Sequence, residues 1–142
     1  MSQHAMQELF HKFCQSILEK NMDDFFELFD DEAVFEYPYA PNGYTERMEG
    51  KEAIVRHLKD FPQQVDITQF GEPSFYFTLD PSVMIVEFEV TDGRMLSTGK
   101  PYLQKYISVI KTKNSKIIHY KDYWNPLVAL AAMQGEMQQQ AF

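Results

Sequence analysis

The stretch that decides the reading of this chain lies near its C-terminus: Lys116-Ile117-Ile118-His119-Tyr120-Lys121-Asp122-Tyr123-Trp124-Asn125-Pro126-Leu127. It reads as a β-strand that runs into a helix. Side chains of a strand alternate between two faces. Ile118, Tyr120, Asp122 and Trp124 are therefore expected on one face, and Ile117, His119, Lys121, Tyr123 and Asn125 on the other. The first face is apolar and aromatic, holds the single tryptophan of the chain, and has one carboxylate set into it. An acid in such a row belongs to a pocket, to a subunit seam, or to an ion pair.

Working outward, the segments on the N-terminal side of this strand share its period of two. Val65–Leu79, Val83–Thr91, Tyr102–Lys111 and Ile117–Asn125 read as four long strands. Asp80-Pro81, Thr91-Asp92-Gly93 and Lys113-Asn114-Ser115 are the turns between them, and turns this short favour antiparallel hairpins. The N-terminal half has helical spacing. Residues 3–20 place Met6, Phe10, Phe13 and Ile17 on one stripe. A second short helix covers Phe25 to Phe29, and a third, Lys51 to Phe61, turns Ile54, His57, Leu58 and Phe61 inward before Pro62 ends it. Between them Asp30-Asp31-Glu32 reads as a turn, Ala33 to Tyr39 as a strand, and Ala40 to Glu49 as a loop. Pro126 opens a last amphipathic helix to about Met137, and residues 136–142 form a frayed tail. Helices followed by antiparallel strands define the α+β class. A long sheet with its helices gathered on one face curls around them into a cone with an open mouth. All of residues 1–142 make one domain.

Composition narrows the function. Aromatic residues make up 15% of the 142 residues, with 12 Phe and 8 Tyr, enough to line a core or a ligand cavity. The formal charge of −8 makes nucleic acid and anionic membrane poor partners, because both are recognised through basic patches. No apolar run approaches the ~18 residues of a membrane span, and residues 1–20 are too polar for a signal peptide. A cytoplasmic protein is expected. Cys14 is the only cysteine and reads as a buried packing thiol. There is no glycine-rich phosphate loop, nucleophile elbow or metal-ligand spacing, so neither a metal nor another cofactor is expected.

The candidate site is built around Asp122. Inside an apolar cone, desolvation raises a carboxyl pKa and suits the group to acid or base work near neutral pH; the alternative is an acid at the rim or in an ion pair. Gln104 and Tyr106, on the neighbouring strand with Tyr102, either orient a ligand or serve the core and the backbone. His57 either relays protons or is a satisfied core histidine. Phe35, Tyr37, Tyr39, Tyr120 and Trp124 are the expected walls of a substrate cavity, with Tyr44 near them. Glu87 and Glu89 alternate with the apolar Met84, Val86, Phe88 and Val90 and are expected to look outward.

Three stretches, Phe35-Glu36-Tyr37-Pro38-Tyr39-Ala40-Pro41, Met48-Glu49-Gly50-Lys51-Glu52-Ala53-Ile54 and the opening strand through Leu127, together resemble the SnoaL-like branch of the nuclear transport factor 2-like superfamily. The resemblance covers nearly the whole chain and is most similar to the phenazine-biosynthesis A/B type. It implies an α+β cone, a homodimer through the outer face of the sheet, and a small hydrophobic ligand in the cavity. In that type an acid in the last strand, followed by an aromatic, acts as acid/base; Asp122-Tyr123 resembles it with an acid one methylene shorter, and His57 stands loosely for a pocket histidine. The ketosteroid isomerase pattern needs a tyrosine in the first helix, and residues 3–20 contain none. The epoxide hydrolase pattern needs an arginine between two acids, whereas Arg47, Arg56 and Arg94 fall on a loop, a helix and a turn. Two functions stay open: a cofactor-independent isomerase or cyclase acting on a largely apolar carbonyl compound, and a non-catalytic ligand-binding or scaffold protein.

Overall fold

A computed structural model describes residues 1–133. The end of the expected last helix and the tail at 136–142 lie outside the described residues. The element order is α1 (Gln3–Leu18), α2 (Met22–Glu27), β1 (Phe29–Glu36), β2 (Arg47–Glu49), α3 (Lys51–Leu58), α4 (Phe61–Gln64), β3 (Val65–Phe70), β4 (Ser74–Phe77), β5 (Val83–Met95), β6 (Lys105–Lys113), β7 (Lys116–Trp124) and α5 (Pro126–Ala132). The fold is α+β. A curved, unclosed sheet in the order β2-β1-β7-β6-β5-β3, with β4 also on β5, carries the helices against its inner face.

Local chemistry explains the elements. The Ser2 hydroxyl caps α1 by accepting the Ala5 N–H at 3.0 Å, and the Asn21 side chain caps α2 by accepting from Asp24 at 3.1 Å. One stripe of α1, made of Met6, Leu9, Phe10 and Phe13, is buried. On β5, Met84, Val86, Phe88 and Val90 are buried while Glu87 and Glu89 are exposed, so the two glutamates look outward as the alternation requires. The β6–β7 hairpin closes through Asn114 and Ser115, with φ of 52° and 64°, the left-handed pair that a two-residue turn needs.

Three local readings are corrected by the structure. Val65–Leu79 is two strands, because Pro73 lacks the N–H that continued pairing needs; β3 and β4 pair with opposite halves of the 13-residue β5. Thr91-Asp92-Gly93 lies inside β5 and forms no turn. A Cβ on Gly93 would lie 2.9 Å from Val90 Cγ1 and 3.2 Å from the carbonyl oxygens of Asp66 and Tyr102, so this glycine admits a close approach where the sheet bends. Asp30, Asp31 and Glu32 belong to β1, which tolerates these acids beside a register shift between Phe29 and Val34. β1 runs parallel to β7, the one parallel pair among the described residues.

The main core lies between α1, α2 and α3 and the inner face, around Phe10, Phe25, Phe29, Ile54, Ile110 and Tyr120. A smaller cluster joins Val65, Ile67, Val90, Met95 and Tyr102 to Ala129 and Ala132 of α5. The small alanines of α5 face inward, while Leu127 is 60% exposed.

Candidate functional site

β7 is the centre of the site, and its alternation has one interruption. Thr112 pairs with Ile117 and Lys111 with His119, so Ile118 is an extra residue bulged out of the ladder. Ile117 is buried in consequence and Ile118 is not, which reverses the expected facing of these two. Beyond the bulge the expected phase returns. Tyr120, Asp122 and Trp124 lie opposite Ile110, Ser108 and Tyr106 on β6.

The inner face and the helices leave a cavity of about 490 Å³. Its floor and walls are Phe13, Ile17, Met22 and Phe25 from the helices, Phe35 and Tyr37 from β1, and Phe88, Tyr106, Tyr120, Asp122 and Trp124 from β5 to β7, with Tyr102 beside them. Arg56, His57 and Asp60 line it from the α3–α4 side and are solvent-exposed. This size and this mix of rings with few polar groups are typical of small-molecule pockets. A shallower depression of about 790 Å³ runs over the outer face past Glu87, Glu89, Lys105, Ile107 and Tyr123. Its charged groups are exposed, so the inner cavity is the chemical candidate.

Asp122 retains part of its surface along the cavity, yet its Oδ1 is buried and has no hydrogen-bond partner. Burial pushes its carboxyl up to about 8, because an ion loses its hydration there without gaining a counter-charge. The phenols of Tyr37, Tyr102, Tyr106 and Tyr120 are raised chiefly by burial, and the charge of Asp122 adds to the shift in all four. They stay protonated around it. Among the described residues, no group of three or more His, Cys, Asp or Glu converges as a metal site.

The other expected site residues divide. Tyr106 stacks on Phe88 at 4.7 Å and hydrogen-bonds to the Tyr102 hydroxyl. Tyr120 is fully buried, bonded to Ser108 at 2.7 Å and stacked on Phe35 at 4.7 Å. Tyr37 meets the Trp124 ring edge to face at 6.2 Å. Gln104 is 0% exposed and lies off the cavity. Its amide donates to the Asn125 carbonyl at 2.9 Å and accepts from the Asn125 and Lys105 N–H groups. It therefore holds the backbone at the strand–helix junction, and its side chain also hydrogen-bonds to Tyr102. Tyr39, 61% exposed, lies outside the cavity against Tyr123, since β1 ends at Glu36 and its alternation does not extend that far. His57 is exposed at the cavity edge, 5.8 Å from the Tyr37 ring, and partial burial lowers its pKa; of the side chains expected to face inward from α3, only Ile54 is buried.

Sequence reasoning missed one feature, the lack of any partner for the Trp124 Nε1–H, which is buried. Its position on the Asp122 face was the available signal. The hydrogen-bond state of an indole depends on neighbours that only the fold supplies.

A curved, unclosed α+β sheet folded over N-terminal helices is the fold of nuclear transport factor 2-like and ketosteroid isomerase-like structures, which superpose at 15% and 14% identity with TM-scores of 0.65 and 0.71. Within it the chain belongs to the SnoaL-like domain family, matched over residues 10–120. It is similar to the uncharacterised protein YesE of Bacillus subtilis, at 46% identity over 93% of this chain and 89% of that protein. It is also similar to the PhzA/B-like protein PA3332 of Pseudomonas aeruginosa, at 42% identity over 77% of this chain and 76% of that one. A crystal structure of a proposed isomerase from Bacillus subtilis superposes with a TM-score of 0.90 at 45% identity, covering 94% of this chain and 95% of the other. Among the described residues no helix is long and apolar enough to cross a membrane.

Proposed function

We propose that the protein binds a small, largely apolar carbonyl compound in the inner cavity and that Asp122 moves a proton beside the carbonyl, in a cofactor-independent isomerase- or cyclase-type reaction. One observation carries this reading: a buried carboxyl without a partner in a cavity walled by rings, its pKa raised to about 8. Such a group exchanges protons near neutral pH. The ionised carboxylate takes a proton from the carbon next to the carbonyl. The C–H electron pair becomes the new C–C double bond and the carbonyl pair moves to oxygen, leaving an enolate. Where the ketone carries a further C=C conjugated with the enolate, return of the proton to the far carbon of that system shifts the double bond, gives the isomer and restores the carboxylate. The similarity to a proposed isomerase at 45% identity supports this reading.

Turnover of a panel of enolisable ketones tests it, followed by solvent deuterium exchange at the substrate carbon. Asp122→Asn should lower kcat by at least about a hundredfold. Full activity in that variant removes Asp122 as the base.

A second reading, a ligand-binding protein without turnover, is favoured by one observation. Tyr106 is committed to Tyr102, and His57 sits in solvent, which leaves Asp122 without an evident proton relay. Saturable ketone binding with no deuterium exchange would select it. A homodimer through the outer sheet face belongs to both readings; Ile107 and Tyr76, 44% and 50% exposed there, support it.

A further inference from the structure

We propose that the phenol of Tyr37 is the hydrogen-bond donor that seats the ligand's carbonyl oxygen beside Asp122, and that the ligand is an enolisable ketone clasped between these two side chains. This rests on the binding of a carbonyl compound in the inner cavity proposed above and adds the second polar contact of that site.

Tyr37 and Asp122 are neighbours on adjacent strands. β1 runs parallel to β7 with Phe35 beside Tyr120 and Glu36 beside Lys121, so the next pair along is Tyr37 and Asp122. The Tyr37 N–H donates to the Glu46 carbonyl at 2.8 Å, which carries the chain one residue past the end of β1 in the same phase. Phe35 and Tyr37 therefore share the inner face, their rings 5.2 Å apart, while Glu36 turns the other way to Arg47 and His119. The Tyr37 ring also meets Trp124 at 6.2 Å and His57 at 5.8 Å. These rings hold the phenol in place.

The hydroxyl at the end of this ring is uncommitted. Asp122 acts on it through charge and not through a hydrogen bond, and among the described residues it has no other partner. Tyr37 keeps part of its surface and lines the cavity. Its oxygen is not sealed off as Asp122 Oδ1 and Trp124 Nε1 are. Asp122 also keeps part of its surface on the cavity. The other polar groups there are committed or peripheral. Tyr106 and Gln104 bond to Tyr102, Tyr120 bonds to Ser108, and Tyr44 is not free. Thr45, Arg56, His57, Asp60 and Gln64 are exposed at the edge. Burial keeps the Tyr37 phenol protonated, so it donates, and a donor inside an apolar cavity is short of an acceptor. An enolisable ketone supplies both contacts from one carbonyl carbon: its oxygen accepts from the phenol and its acidic carbon lies beside Asp122. When the carboxylate takes that proton, the C–H pair becomes the C–C double bond and the carbonyl pair moves onto oxygen. The phenol keeps its own proton, and its bond to the charged oxygen strengthens.

The probes are 2-tetralone, ¹³C-labelled at its carbonyl, and tetralin, the same bicyclic frame without the oxygen. In the wild-type protein 2-tetralone should bind more tightly than tetralin, and its infrared carbonyl stretch should fall below the value in hexane. Tyr37→Phe keeps the ring and removes the hydroxyl. It should shrink the affinity ratio of the two probes about five- to tenfold, the worth of one hydrogen bond, and raise the stretch. Tyr39→Phe, which removes a phenol outside the cavity, should change neither. Replacing Tyr37 by 3-fluorotyrosine, a stronger donor on the same ring, should lower the stretch further, and this decides the matter even if Tyr37→Phe fails to fold. Equal affinities, a stretch that matches hexane, or one that ignores both changes at Tyr37 would overturn the assignment to Tyr37 while the cavity reading stands. Binding of neither probe would overturn the cavity reading and this inference with it.

Discussion

Asp122 places a carboxyl oxygen in the interior without a hydrogen-bond partner. Its carboxyl rises from 3.8 to about 8 through burial, and the tyrosines that face it, Tyr37, Tyr102, Tyr106 and Tyr120, are neutral phenols that offer no counter-charge. The sign of the pH dependence follows. Between pH 3.8 and about 8 the folded state keeps a proton that the unfolded state has released, so stability falls as pH rises across that window and levels off above it. Asp122→Asn removes this slope. The variant should be more stable than wild type at pH 8.5, by about 2 kcal/mol, with the gain shrinking toward pH 4. Thermal melts at several pH values measure it, and parallel curves for the two proteins would show that Asp122 is not buried uncompensated. Catalysis takes the opposite sign: base action by Asp122 requires the ionised form, so kcat/KM on a ketone should climb with pH and flatten above about 8. At this scale the sequence was partly legible. Asp122, Trp124 and Tyr120 stand on one face by simple alternation. The commitments of Gln104 to Asn125 and of Tyr106 to Tyr102 depend on cross-strand neighbours and had no local sign.

At the scale of elements, the site depends on where strands depart from regularity. The bulge at Ile118 lets Ile117 pack inward at one end of β7 while Asp122 and Trp124 keep their phase at the other. Gly93 permits the bend of the long β5 by letting Val90 and two carbonyl oxygens approach closely. Gly93→Ala should therefore destabilise the fold by about 1 to 3 kcal/mol through overpacking, read by urea denaturation. An unchanged midpoint would mean that the neighbours yield freely. Element type followed well from periodicity, as in α1 and the β6–β7 hairpin. Element ends followed less well. Thr91-Asp92-Gly93 has turn composition yet lies in a strand, since the pairing with β3 outweighs local preference.

At the scale of the whole molecule, the helices close one face of the sheet, and among the described residues none covers the other. Ile107 and Tyr76 are exposed on that bare face, alongside Glu87 and Lys105. Light scattering on the wild-type protein should give a dimer mass, and Ile107→Glu should weaken association at least tenfold, about 1.4 kcal/mol, leaving the inner cavity untouched. A monomeric wild type would remove the dimer from the proposal.

The sequence by itself determined the class of fold and pointed to Asp122 as the candidate acid. Two periodicities, 3.6 for the first helices and 2 for the strands, are local properties of the chain and are written in its order. Only the tertiary structure decided which polar groups are already paired, which way β1 runs beside β7, and that the buried Trp124 N–H has no acceptor. Those facts arise from residues far apart in the chain meeting across strands. Hydrogen-bond satisfaction and desolvation are properties of that meeting, and no single stretch carries them.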